Sequence, residues 1–303
     1  MKVIVIIPAF NEGEIIARTV TALAEMKPLF REAGRELRVY VVDDGSRDDT
    51  RQQAEAAGAD RVLRHRVNRG LGAAVRTGLN GARADGAAIA IKFDADLQHD
   101  PHDLPALIQP LLDDEADVVY GQRFDRIEYR MPLIRRWGNR VFTGLVSWLT
   151  GWPVKDGQPG IFAVNRSYLE VFYLPGDYNY TQQVLVDAYR KGMRFAHVPV
   201  SFRRRTTGRS FISLKYPVKV LPQIFMVLVA VRPLKIFGPL GLLFLVAGLG
   251  LFCWEFMQWL LEESAKPIRH VNLVLGLFLF GIQTLFFGVL AHLIVEFKGR
   301  DQG

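Results

Sequence analysis

Two stretches near the carboxyl end constrain this chain more than any other feature: residues 236–254 and 271–295 contain no Asp, Glu, Lys or Arg. Each approaches the roughly 20 apolar residues that cross a bilayer core. A pair of buried helices in a large soluble core shares that composition. The length of the runs, their place at the end of the chain and Trp254 and Trp259 near one end favour spans. Joined by the short segment around 262–270, the two make a hairpin, which returns the chain to the side where it began. Lys215, Lys219, Arg232 and Lys235 precede the first span, and Lys298 and Arg300 follow the second. The connecting segment offers Lys266 and Arg269 beside Glu262 and Glu263. That bias implies a multi-pass protein of the cytoplasmic (inner) membrane, with residues 1–210 and both termini in the cytoplasm.

The remainder of the 303 residues suffices for one sizeable α/β domain. The apolar run 3–7 is too short for a signal peptide and stops at Pro8, Asn11 and Glu12. The single cysteine, Cys253, lies inside a span, which excludes disulfides and thiolate metal clusters. A net charge of +7 suits an anionic partner. Basic residues beside two spans point to a lipid bilayer and its headgroups, not to nucleic acid. Between soluble domain and spans, residues 211–233 mix Lys215 and Lys219 with Leu214, Val218, Leu221, Ile224 and Phe225, and Pro217 and Pro222 interrupt them. This pattern predicts amphipathic helices in the interface plane, with a re-entrant or core helix as the alternative. The expected organisation is therefore a cytoplasmic α/β domain over 1–210, an interfacial segment over 211–233, and spans over 234–261 and 271–297.

Within the soluble part, residues 3–7 read as a strand buried on both faces, followed by a helix over 12–26. Strands are expected at 38–42, 61–63, 87–93 and 118–120, with helices over 48–57 and 70–84. Such βαβα alternation implies a parallel sheet with helices on both faces. Ligands bind such sheets beyond the carboxyl ends of the strands. Polar clusters sit at those ends: Asn11-Glu12, Asp43-Asp44 and Asp94-Ala95-Asp96. One cluster is an ordinary turn; three converging on one edge suggest a site.

Asp94-Ala95-Asp96-Leu97-Gln98-His99 places two carboxylates one residue apart, able to turn towards one hard divalent cation, with Gln98 supplying a further oxygen. Such an ion would bridge a nucleotide diphosphate and neutralise the leaving group. An isolated Asp-x-Asp equally suits a solvated, helix-capping turn. In Asp43-Asp44-Gly45-Ser46, Asp43 is a candidate acceptor for a nucleobase N–H edge and Asp44 a neighbour of the ribose or metal, while turn and N-cap roles also fit. Asn68-Arg69-Gly70-Leu71-Gly72 is either a phosphate cradle or a Gly-rich helix start. It is not a dinucleotide fingerprint, because Val75 stands where Gly or Ala is needed.

These stretches, with Ile7-Pro8-Ala9-Phe10-Asn11-Glu12, resemble the family 2 glycosyltransferases of the GT-A fold. Within that family the chain is most similar to polyprenyl-phosphate glycosyltransferases of the dolichyl-phosphate mannose synthase type. Lys155-Asp156-Gly157-Gln158-Pro159-Gly160-Ile161-Phe162 and Val198-Pro199-Val200 leading to Arg205-Thr206-Thr207-Gly208-Arg209-Ser210 agree with that type. The resemblance implies a GT-A-like, mostly parallel sheet flanked by helices, then interfacial helices and a two-helix hairpin. It also implies a nucleotide-sugar donor, a polyprenyl phosphate acceptor, and Mn²⁺ or Mg²⁺. By the same resemblance Asp94, Asp96 and Gln98 look like the metal set, and Pro8, Phe10, Glu12 and Asp43 like the nucleotide contacts. Asp156 matches an active-site Asp, and Arg205 and Ser210 would lie on a loop covering donor diphosphate and acceptor. Arg123, Arg135 and Arg136 are candidates for the lipid phosphate, against solvated arginines at the latter two and helix capping at Asp156.

Two departures bear on the acceptor. Gln183 stands where many relatives carry Glu, and Phe211 where a basic residue follows Ser210. A sugar hydroxyl needs a general base, whereas a phosphate monoester, with a second pKa of about 6, is already anionic. The missing carboxylate therefore favours a phosphate acceptor, attacking the anomeric carbon directly; inversion follows from the resemblance. A processive polysaccharide synthase is disfavoured, since Arg136-Trp137 is present but Leu133 replaces the Gln of its motif. A non-catalytic nucleotide-binding membrane scaffold is disfavoured by the intact Asp43, Asp94 and Asp96. The sugar, the choice between UDP and GDP, and homo-oligomer formation stay open.

Overall fold

The structure, a computed structural model, describes residues 1–122, 143–144, 147–148, 151–152, 154, 159–174, 180–202, 233–261 and 265–300. The chain divides into two compact units, Met1–Ser213 and Leu214–Gly303.

The first unit is built on β1 (Lys2–Ala9), whose Val3, Ile4, Val5, Ile6 and Ile7 are wholly buried. A five-residue apolar run fits only a strand covered on both faces. Helices α1 (Ile16–Ala24) and α2 (Lys27–Glu32) lead to β2 (Glu36–Asp43), which pairs with β1 in parallel from Lys2–Glu36 to Ala9–Asp43. Then come α3 (Thr50–Ala56), β3 (Arg61–Arg64), α4 (Leu71–Ala84) and β4 (Ile89–Lys92). A single 3₁₀ turn (Pro101–Asp103) opens α5 (Leu104–Leu112), followed by β5 (Val118–Gln122). The unit continues with β6 (Phe162–Asn165), α6 (Arg166–Val171), α7 (Tyr180–Arg190) and β7 (Phe195–Pro199). Among the described residues the strand order is β3-β2-β1-β4-β6-β5-β7. Only β6 runs against its neighbours β4 and β5; the other pairings are parallel.

The five expected strands are present, as is the mostly parallel sheet. Strands β6 and β7 are additional, being four and five residues long and without the alternation that betrays a half-buried strand. Helix α1 begins at Ile16 rather than residue 12, because residues 11–13 bond to the next loop. Its Ile16, Thr19, Val20 and Leu23 then bury one helical face. On the other side α4 lies close: a Cβ at Gly78 would meet Ile6 Cγ2 at 2.1 Å.

The second unit contains α8 (Pro233–Leu260) and α9 (Val271–Arg300). At 28 residues α8 is about 42 Å long, more than a bilayer core needs. Only 11% and 17% of the two apolar windows are buried, where a soluble core helix would be mostly buried. The helices approach through glycines: a Cβ on Gly241 would meet the Gly281 carbonyl at 2.9 Å, and one on Gly288 would meet Phe237 Cβ at 2.7 Å. Small residues permit such approach where no hydrophobic effect drives association. Glu255 closes the turn, accepting from the Arg269 and His270 amides at 2.7 and 3.1 Å and facing His270 Nδ1 at 2.5 Å. It thereby ties the residues just before α9 to the last turns of α8. Of the expected interfacial segment, residues 211–233, all but Pro233 lie outside the described residues, and Pro233 opens α8.

Candidate active site

Strands β1 and β2 end in register, so the loops that follow start side by side. Pro8 is buried in β1 and Phe10, just beyond it, is exposed. Asn11 adopts φ 54° and is clasped by the second loop: its amide donates to Ser46 Oγ (3.0 Å) and its Oδ1 accepts from the Arg47 amide (2.9 Å). The Glu12 amide donates to Thr50 Oγ1 (2.9 Å) and the Gly13 amide to Asp48 Oδ2 (3.0 Å). Burial opposes charge on Asp48, but the Thr50 hydroxyl and the Gly13 and Thr50 amides outweigh it and hold its pKa below the ordinary value.

Asp43 is buried, accepts the Ser46 amide on Oδ1 (2.8 Å) and faces Arg64 Nε at 3.6 Å through Oδ2. Asp44 turns inward. Its oxygens accept from the Arg69 amide (2.9 Å) and the Gly70 amide (2.8 Å) and meet His65 Nδ1 at 2.6 Å, while His65 Nε2 reaches Thr77 Oγ1 (2.8 Å). Two amides of the Asn68–Gly72 stretch, which a phosphate cradle would present outward, thus point at Asp44. Gly70, at φ 93°, starts α4, in keeping with the helix-start alternative. Gly45 has no room for a side chain, since a Cβ would lie 2.5 Å from the Val67 carbonyl carbon.

At the end of β4, on the other side of β1, lies the Asp94–Asp96 turn. Lys92 is fully buried and donates to Asp94 Oδ1 and to the Gly160 carbonyl (2.7 Å), with the Tyr180 ring 5.4 Å away. Burial alone would lower the Lys92 pKa; Asp94, with Tyr180, more than offsets it, so the ammonium persists. Asp96 accepts the Gln98 amide (3.1 Å), and Leu97 sits at φ 54°. From α1, the buried Thr19 hydroxyl donates to the Ala95 carbonyl (2.6 Å). His99 is buried between Phe93 and Phe202, with ring centroids 6.2 and 5.0 Å away.

Two carboxylates one residue apart and no bulk at Gly160 fit a hard cation. A Cβ at Gly160 would fall 2.5 Å from Asp94 Oδ2 and 2.3 Å from His99 Nε2, so glycine keeps that approach clear. Among the described residues no three His, Cys, Asp or Glu side chains form a ready-made cage. An ion held by one or two carboxylates together with phosphate oxygens, as Mg²⁺ commonly is, does not require one.

The structure therefore gathers Pro8, Phe10, Glu12, Asp43, Asp44, Asp94, Asp96 and Gln98 at one sheet edge. Asp156, Arg123, Arg135, Arg136, Arg205 and Ser210 lie outside the described residues. Lys92, Thr19 and Gly160 were not singled out from the sequence. Two of them carried a signal: Lys92 is a lysine closing the apolar strand that leads to Asp94, and Gly160 lies within the stretch 155–162 that carries part of the resemblance.

The sequence model described as Glycosyl transferase family 2 matches residues 4–172, and that described as GtrB C-terminal hairpin matches residues 232–296. A UDP-N-acetylglucosamine–dolichyl-phosphate N-acetylglucosaminyltransferase of Methanococcus voltae is 31% identical over 216 residues, covering 64% of this chain and 83% of its own. An undecaprenyl-phosphate 4-deoxy-4-formamido-L-arabinose transferase of Edwardsiella ictaluri is 28% identical over 312 residues, covering 98% and 88%. Glucosyl-3-phosphoglycerate synthase of Mycobacterium tuberculosis, crystallised with Mn²⁺, UDP and phosphoglyceric acid, shares the fold at TM-score 0.55 and 23% identity, covering 75% and 77%. The same enzyme has been crystallised with Mg²⁺ and UDP.

Proposed function

The chain belongs to glycosyl transferase family 2, and from that premise we propose that it transfers a sugar from a UDP- or GDP-linked donor to a polyprenyl phosphate. The reaction takes place at the cytoplasmic face of the inner membrane, inverts the anomeric centre and uses Mn²⁺ or Mg²⁺. One observation carries this reading: Asp43, Asp94 and Asp96 lie at the carboxyl ends of β2 and β4, on either side of β1 at one sheet edge, in a chain that also bears two helices apolar enough to span a bilayer. Relatives named for dolichyl and undecaprenyl phosphates support the acceptor.

In this reading Pro8, Phe10 and Glu12 border the nucleotide and Asp43 accepts the N–H edge of its base. Asp44 supports the pocket from behind through the 68–70 loop. Asp94, Asp96 and Gln98 would hold the cation, which when bound supplies positive charge to the departing diphosphate. Arg205 covers the donor, Arg123, Arg135, Arg136 and Ser210 receive the lipid phosphate, and Asp156 lines the reaction centre, all by family resemblance. A phosphate oxygen forms the new bond to the anomeric carbon as the bond to the nucleoside diphosphate breaks. The attacking group is already ionised, so Gln183 in place of a carboxylate is no handicap.

The test uses the purified full chain with Mn²⁺ or Mg²⁺, UDP- and GDP-sugars, and polyprenyl phosphate. Nucleotide diphosphate should appear only when one donor and the lipid phosphate are both present. Equal release without lipid phosphate would assign another acceptor. Thermal stabilisation by UDP or by GDP with Mn²⁺ identifies the base.

A further inference from the structure

Thr19 lies on the buried face of α1, 0% exposed, where an apolar side chain would serve packing as well. A threonine inside a helix usually returns its hydroxyl to the carbonyl four residues back. Here that carbonyl, Ile15 O, is 3.3 Å away, whereas Ala95 O is 2.6 Å away across 76 residues of sequence. A hydroxyl has one proton to give, and the shorter contact takes it. Among the described residues no backbone amide donates to the Ala95 carbonyl.

That carbonyl belongs to the peptide between Ala95 and Asp96, so its direction sets the plane from which the Asp96 side chain departs. The turn needs holding, because Leu97 is a non-glycine residue at φ 54°, a conformation that persists only when its surroundings impose it. Lys92 grips the Asp94 carboxylate from below. We propose that Thr19 is the second clamp: a positioning residue whose hydroxyl fixes the Ala95 carbonyl and thereby the relative direction of the Asp94 and Asp96 carboxylates. Since α1 follows directly on the loop of Phe10–Glu12, the same bond ties the cation turn to the nucleotide loop. This inference rests on reading Asp94 and Asp96 as cation ligands.

The experiment measures Mn²⁺ affinity of the full chain in the presence of UDP and, separately, GDP, by the electron paramagnetic resonance signal of free Mn²⁺. Wild type is compared with Thr19→Val, with the pair Thr19→Ser and Thr19→Ala, and with Asp96→Ala. The unliganded melting temperature of each is recorded alongside. Thr19→Val keeps the shape and removes the hydroxyl; Ser and Ala both lose the methyl and differ in the hydroxyl alone. Loss of a group that orients a metal ligand typically costs about 10- to 100-fold in metal affinity. Val and Ala variants should show that loss, and Ser should stay within about threefold of wild type. Val and Ala binding Mn²⁺ as wild type does, while Asp96→Ala does not, would overturn the role of Thr19 and leave the cation site standing. Ser falling as far as Ala would reduce Thr19 to packing and also overturn it. Wild type and Asp96→Ala binding alike would remove the cation site itself, and this inference with it.

Discussion

The two edges of the sheet in the first unit both carry acidic side chains, and they are satisfied in opposite ways. At the amino-terminal edge Asp117 precedes β5, Arg194 precedes β7 and Asn165 ends the antiparallel β6. Asp117 accepts from the Arg194 amide (2.8 Å), Arg194 Nε (3.1 Å) and Asn165 Nδ2 (2.8 Å), stitching three strands together. Asp85 likewise meets Arg61 at 2.7 Å. At the carboxyl-terminal edge Asp43 accepts the Ser46 amide of its own loop and has Arg64 Nε only at 3.6 Å, Asp44 and Asp48 accept backbone amides of neighbouring loops, and the Asp94 partner Lys92 is wholly buried beneath it. A carboxylate closed off by an arginine stabilises a fold. One held from beneath, with 31% of its side chain still exposed as at Asp94, keeps a negative face for a ligand.

The largest break in this contrast should come from Gly160→Ala, which alters no charge. Its methyl would occupy space 2.5 Å from Asp94 Oδ2. Transfer activity is expected to fall about 100-fold, on the scale of a disturbed metal environment, with a stability loss of about 1–3 kcal/mol from overpacking. Steady-state kinetics beside a thermal melt check both halves; wild-type turnover would show that the turn tolerates bulk.

At the opposite edge the effects should exchange places. Asp117→Ala takes the acceptor from Asn165 Nδ2 and one of two carboxylate partners from Arg194, which keeps Asp114, and should cost about 1–3 kcal/mol of stability, while kcat stays near wild type. Burial pushes the Asp117 pKa up, but the Arg194 side chain and amide and Asn165 outweigh it, and the net direction is down. A depressed carboxylate binds fewer protons folded than unfolded. Its contribution is therefore full above the ordinary carboxylate value of about 4 and is lost as pH falls through the folded value. Melting temperature against pH should fall less steeply on the acid side in Asp117→Asn than in wild type; identical slopes would discount the clamp.

The smallest effect is expected from Asp48→Ala, which frees the Thr50 amide and hydroxyl and, in the β1–α1 loop, the Gly13 amide. Of these only the Gly13 bond holds the β1–α1 loop, and its loss, about 1 kcal/mol, should raise the donor KM about fivefold and leave kcat nearly unchanged. A drop in kcat alone would place Asp48 in the chemistry instead of the scaffold.

Much of this architecture was readable in advance where one interaction dominates. The buried run Val3–Ile7 can only be an inner strand, and two long charge-free runs can only be long apolar helices. Helix α1 starts later than its apolar spacing implies because Glu12 and Gly13 bond Thr50 and Asp48, residues some 35 positions away. Strand β6 escapes because four residues, Phe162–Asn165, carry too little periodicity, and their antiparallel direction is set by the strands on either side. Asp94 and Asp96 stand out by type and spacing, whereas Thr19 looks like any other member of the α1 face. Asp44 illustrates the same limit, since adjacency to Asp43 conceals that it faces His65 and the 69–70 amides.

Anomalous scattering from crystals of the full chain grown with Mn²⁺ and its nucleoside diphosphate tests the central claim most directly. The expected density is a single strong peak between the Asp94 and Asp96 carboxylates, touching a diphosphate oxygen. Nucleotide bound beside Asp43 with no manganese at those two aspartates, or manganese bound elsewhere in the unit, would contradict it.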